Sequence, residues 1–363
     1  MRGWIIALSL FAALTGFPTS VHATSFVITN LASDQPGVAP VTDPLLRNPW
    51  GIASGNGSPF WIASNGAGVV ETYNGAGVKQ SLVVTMPGNG SVTGVAFNSG
   101  SLPRFNNDVF LFSLEDGTLA GWRPSLGTLS EVIQTGSTLN VYKGIAIGTI
   151  GTNTYTYVAN FRTGSIDVLK GDNLAPDLTG KFLDPNLPAG FAPFNIENLD
   201  GTIYVTYAVQ DAAKFDDVPG AGRGIVDRFD LNGVLQGRVT AAGALNSPWG
   251  LALAPSSFGT VAGALLVANN GDGRINAFNP ITGAPLGPLL DASNNPLVID
   301  GLWGLEFGSG VNANNLYFTA GHSTFSYGLF GEITTTATAA PEPESLALIG
   351  SAVVLLAALR RRV

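Results

Sequence analysis

The segment Asn48-Pro49-Trp50-Gly51-Ile52-Ala53 returns near the other end of the chain as Asn246-Ser247-Pro248-Trp249-Gly250-Leu251-Ala252. In both places turn-forming residues precede an aromatic, a glycine and a short apolar run, the pattern of a turn feeding a strand. The next two strands of each copy match too: Phe60-Trp61-Ile62-Ala63-Ser64-Asn65 and then Val69–Tyr73 in the first, Leu265–Asn269 and then 274–278 in the second. Weaker copies open Thr93-Gly94-Val95-Ala96, Lys143-Gly144-Ile145-Ala146, Phe194-Asn195-Ile196-Glu197 and Trp303-Gly304-Leu305-Glu306. The anchors therefore fall at 51, 94, 144, 195, 250 and 304, and only Asn195 breaks the glycine. Strand-rich units recurring at about 50 residues are the blades of a β-propeller.

The fold class is thus all-β, a six-bladed β-propeller in which each blade is expected to hold four antiparallel strands. The sixth repeat supplies only three before the sequence turns to Thr and Ala: Leu302–Phe307, Leu316–Ala320 and 329–334. Residues 26–31 are the candidate for its missing outer strand. Closing the ring with a strand from the opposite terminus removes an open edge between first and last blades. The 47 Gly and 22 Pro among 363 residues suit so many turns, and the total absence of Cys excludes disulfides, thiolate metal sites and Cys nucleophiles.

Both ends read as addresses. Arg2, an apolar stretch 4–17 and Val21-His22-Ala23 form a secretory signal with cleavage before Thr24, an ordinary buried helix being the other reading. At the far end a Thr/Ala linker leads to Pro341-Glu342-Pro343, an apolar run 346–359 and Arg360-Arg361-Arg362. Fourteen apolar-type residues fall short of the roughly 20 that span a bilayer, and tilt or local thinning would have to close the gap. The arginines would stay cytoplasmic and leave the main domain outside. The organisation expected is a signal peptide and helix over 1–23, a propeller over 24–335, a linker over 336–340 and a short hydrophobic helix within the tail 341–363. Without both ends, 13 positive charges face 23 negative ones, so nucleic acid is an unsuitable partner.

The order Pro-Glu-Pro, short apolar segment and arginine cluster resembles the PEP-CTERM sorting signal. That resemblance implies processing near Pro341 by an exosortase, a transient anchor in the inner membrane of a Gram-negative-type cell, and an association with exopolysaccharide. A simple tail anchor is the alternative. The Pro-x-Gly-Ile-Ala and Val-Ala-Asn motifs resemble NHL-type repeats, and the whole arrangement is similar to an uncharacterised bacterial family of exported PEP-CTERM propellers. The resemblance implies a fold and a location in the cell envelope or outside the cell, and little chemistry.

Two columns of the repeat carry the candidate chemistry. The residue before each anchor is Trp50, Thr93, Lys143, Phe194, Trp249 and Trp303. Its aromatics belong to four contiguous blades, and such an arc at a channel mouth would stack on sugar rings; wedging between blades is the structural alternative. Two residues after the anchor, four blades have Ala and two have Glu197 and Glu306. A buried carboxylate is costly unless paired or metal-bound. With Asp300 and Asn195 these residues form a candidate calcium site, since calcium takes several oxygen ligands; pairing with Arg or backbone amides is the other reading. Repeat 4 carries an insertion, 211–224, that reads as either a lid or a solvated loop.

Other signatures fail. After signal removal His322 is the only histidine, and a Ser/His/Asp triad would have to use it with Ser323 or Ser326, yet no Gly-x-Ser-x-Gly elbow is present. No Gly-x-Gly-x-x-Gly or Walker A loop occurs among the many glycines. The function expected is a non-catalytic binding or matrix protein that holds a polysaccharide, a small molecule or a protein partner, polysaccharide being the class that the tail's resemblance implies. The alternative is a metal-dependent hydrolase of the sugar-lactone type, which requires Glu197 and Glu306 to converge on one ion.

Overall fold

The computed structural model describes residues 24–55, 57–99 and 104–337. The signal segment, the Pro341-Glu342-Pro343 motif, the apolar run 346–359 and the arginines Arg360, Arg361 and Arg362 lie outside the described residues, as do both terminal helices expected there. Among the described residues no helix is long and apolar enough to cross a membrane.

Six sheets are arranged as blades around one axis, and the innermost strands of the six are Pro49–Ser54, Val92–Phe97, Tyr142–Ile150, Phe191–Leu199, Pro248–Leu253 and Leu302–Phe307. Each packs against the innermost strand of the next blade, the last against the first, so the ring closes. All six anchors sit on these strands. At every anchor the ladder to the second strand shifts register, so the strand bulges where it approaches its neighbour. Glycine is required there by space. A Cβ on Gly51 would stand 2.8 Å from the Thr93 carbonyl oxygen of the next blade, and one on Gly304 would stand 2.8 Å from the Trp50 carbonyl oxygen.

The sixth sheet closes as the repeat count requires. Its inner three strands are Leu302–Phe307, Leu316–Ala320 and Leu329–Ala337, and Thr24–Ser33 hydrogen-bonds along the last of them. A short parallel strand, Val41–Thr42, adds to its outer edge. Phe26 is 2% exposed and stacks near Phe258 of blade 5, so the closing strand is anchored by core burial as well as by its ladder.

Blade 3 departs from the expectation of four strands. Its sheet holds only Tyr142–Ile150, Asn153–Asn160 and Ser165–Lys170. Residues 171–190 follow, with Pro176, Pro185 and Pro188, which lack the N–H a ladder needs. The segment turns aside to pack Ala175, Leu178, Phe182 and Leu187 against blade 4. Phe182 donates its backbone N–H to the Gly233 carbonyl at 2.9 Å.

Candidate functional site

The residues preceding the anchors converge at one end of the axis, because every inner strand starts there. Trp50 and Trp303 stack with ring centroids 3.8 Å apart, and Trp249 meets both edge-on at 5.2 Å. Phe194 adds an edge contact to Trp249 at 4.9 Å. Offset and edge-to-face pairs of this kind are each worth about 0.5–1.5 kcal/mol beyond area burial. Phe194 and Trp249 are 0% and 1% exposed, so neither presents a face to a ligand. The expectation of an open aromatic arc is corrected here: the rings are satisfied by one another and plug the channel. Only Trp50 and Trp303 also border the space above the plug.

Lys143 is wholly buried within the same cluster. Its ammonium lies 4.7 Å above the Trp50 ring and 5.1 Å from the Phe215 ring. It donates to Glu115 at 2.6 Å and to Asp216 at 3.2 Å. A buried charge is tolerated only with this degree of pairing, and so Lys143 is a keystone of the plug rather than an open donor. Glu115 comes from the turn between second and third strands of blade 2, and Asp216 from the insertion in blade 4. The insertion therefore lies over the mouth, held by Lys143 and by Phe215, which packs on the aromatic cluster.

Above the plug is a hollow of about 320 Å³. Trp50 and Trp303 form its floor, and Phe215 and Phe325 its walls; Phe325 is 44% exposed and its ring lies 5.5 Å from that of Trp303. Asn48, Asn65 and Asn270 offer amides, and Glu115, Asp216 and Asp217 offer carboxylates. Burial pushes the Asp217 carboxyl up, an effect partly offset by the Ser247 hydroxyl and the Lys143 charge. The indole N–H of Trp50 finds no hydrogen-bond partner among the described residues. Glu115 and Phe215 also line a second hollow, of about 530 Å³, over blades 2 and 3, where Asn89, Thr118, Thr138 and Arg162 are found. The two hollows share those residues and form one groove across the face.

Deeper in the channel lie Glu197 and Glu306, near enough for their charges to interact. Burial raises Glu197 well above the ordinary carboxylate range, the nearby Glu306 charge adding to it. Burial also pushes Glu306 up to about 7, against a hydrogen bond of 2.9 Å from the Ser54 hydroxyl. Asn195 bridges downward to Glu197 at 3.4 Å and sideways to the Trp249 carbonyl at 3.1 Å. The space beside Glu197 is about 10 Å³, room for about one water. Asp300 is not brought to this pair: it is exposed and precedes the inner strand whose far end carries Glu306. Among the described residues no three His, Cys, Asp or Glu side chains gather as a metal site.

Sequence reading missed Glu115 and Phe215 as pocket residues. The 211–224 insertion, which carries Phe215, Asp216 and Asp217, was the nearest signal, since it reads as a lid.

No family model matches the chain. Over 329 residues it is 34% identical to an uncharacterised protein of Acanthamoeba polyphaga mimivirus, covering 85% of this chain and 80% of that one. The chain belongs to that protein's family. A second uncharacterised mimivirus protein is 32% identical over 324 residues, 84% of each chain. Membership gives a lineage and no reaction. Among solved structures, the PQQ-bound aldose sugar dehydrogenase of Streptomyces coelicolor superposes with a TM-score of 0.52 at 14% identity, covering 87% of this chain and 99% of that one. A glucose dehydrogenase gives 0.51 at 13% identity, with 87% and 100% covered. At such identities these likenesses show the propeller fold alone.

Proposed function

We propose that this chain is an exported, non-catalytic binding protein whose propeller holds an oligosaccharide in the groove on its aromatic face. The observation that carries the reading is the groove itself: aromatic floor and walls beside a run of amides, hydroxyls and carboxylates. Sugar rings offer apolar faces to aromatics and hydroxyls to just such polar groups. A groove that continues over two blades suits a ligand of several rings better than a single small molecule.

The two ends fit the same reading. Cleavage before Thr24 leaves the closing strand Thr24–Ser33 whole, and a tail cut by an exosortase near Pro341 would release the closed ring. The transient membrane anchor through 346–359 and the resemblance of the tail to a sorting signal associated with exopolysaccharide supply the class of partner.

The test is binding of the purified protein to an array of defined oligosaccharides, with affinities of any hits measured by calorimetry. A hit is expected, and Phe325→Ala should weaken it about tenfold, the loss of one stacking face, without changing the thermal midpoint. Silence across the array would sink the proposal. The metal-dependent hydrolase remains the second reading because Glu197 and Glu306 lie within reach of each other's charge. Their surroundings supply few of the six to eight oxygens that calcium takes. One divalent ion per chain found by mass spectrometry, and lost in Glu197→Ala/Glu306→Ala, would favour the hydrolase.

A further inference from the structure

We infer that the sugar held in this groove carries a free amine, so that the ligand is a cationic, amino-bearing oligosaccharide rather than a neutral or acidic one. The inference rests on the oligosaccharide reading and names its chemistry.

Three features of the hollow above the plug support it. Its lining includes three carboxylates, Glu115, Asp216 and Asp217, and no Lys or Arg. Lys143, just beneath, can neutralise only one of them, so the hollow stays negative. Asp216 is 61% exposed on its side chain, which leaves it free to take a second cation from above.

The second feature is the cage already built around Lys143. There an ammonium lies over Trp50 and against Phe215 while Glu115 and Asp216 accept its protons. Aromatic faces and carboxylates are what hold an organic cation. Phe325, 44% exposed, and the exposed Asp216 side chain repeat that combination one layer higher, above Trp303. An acidic ligand group placed there would face uncompensated like charge.

The third feature is the contrast with the second hollow, where Arg162 stands with the two carboxylates Glu115 and Asp116, and Thr118, Ser137 and Thr138 provide hydroxyls. The groove is therefore polar along its length, and its end over Trp50 and Trp303 holds carboxylates without a basic side chain in the lining. An oligomer would seat one amine-bearing ring at that end and its remaining rings over blades 2 and 3.

The experiment compares three tetrasaccharide probes on the intact protein by calorimetry: β-1,4-linked glucosamine, its fully N-acetylated form and neutral cellotetraose. The glucosamine probe should bind at least tenfold more tightly than the others at low salt, with the preference shrinking as salt screens the charges. Asp216→Asn/Asp217→Asn should remove that preference. Asp216→Asn alone serves if the double variant shifts the unfolding midpoint. Equal binding of all three probes would overturn the amine assignment and leave the oligosaccharide reading standing. An amine preference undiminished in the variants would also overturn it, since general attraction to an acidic protein would then suffice. No binding by any probe, with the glycan array silent too, would remove both.

Discussion

Asn195 stands where five blades have glycine, and its side chain makes bonds that a glycine cannot. Its amide crosses to the Trp249 carbonyl of blade 5 and reaches Glu197 two residues on. Glu197 and Glu306 lie within reach of each other's charge, and both hold their protons more tightly than a free carboxyl. Burial pushes three further acids, Glu71, Asp108 and Asp227, up to about 7, although Lys79, Arg123 and Arg238 sit beside them. All five bind protons more tightly folded than unfolded, where a carboxyl titrates near 4. For Glu306, Glu71, Asp108 and Asp227 the contribution to stability is fully present below about pH 4 and is lost as pH rises through about 7, and Glu197 acts in the same direction. Asp43 and Glu131 are shifted the other way and act only in more acidic solution. The thermal midpoint at pH 5.5 should therefore exceed that at pH 8. Glu197→Gln/Glu306→Gln should flatten the difference, Glu306 alone accounting for roughly 1–2 kcal/mol. A pH profile identical to the parent's would mean that the channel carboxylates ionise freely.

Among the elements, the strand Thr24–Ser33 has the least local reason to exist. It gains its partners only from the far end of the sequence, through the ladder to Leu329–Ala337 and the burial of Phe26, Leu31 and Ala32. Removing residues 24–31 should lower the urea midpoint sharply, since burial of each large apolar side chain contributes about 1.5–3 kcal/mol. It should also promote association through the bared edge. A truncated protein as stable and monodisperse as the parent would show that the strand is an accessory. This strand was legible in sequence, because the sixth repeat shows only three strands before the Thr/Ala stretch. The anchor bulges were legible as well, since a glycine that must approach a neighbouring backbone recurs in every repeat but one. Blade 3 was not, because three prolines remove its outer strand while the repeat spacing stays regular. Nor was the plug: the Lys143 partners come from blades 2 and 4, and no spacing along the chain brings Glu115, Asp216 and Lys143 together. The aromatic column was visible, but its rings facing one another is a property of the closed ring.

The ring from Ser25 to Thr336 is one compact unit built from contacts between successive blades. Its two ends finish side by side, with the Ser25 and Thr336 hydroxyls 2.7 Å apart. The segment 171–190 belongs to no ladder. A circular permutant that joins the ends by a short Gly/Ser bridge and opens within that segment should fold with a near-parental thermal midpoint. Failure to fold would mean that the order in which the blades are made matters as much as their closure. If it succeeds, the protein is a bracelet whose clasp can be moved from blade 6 to blade 3.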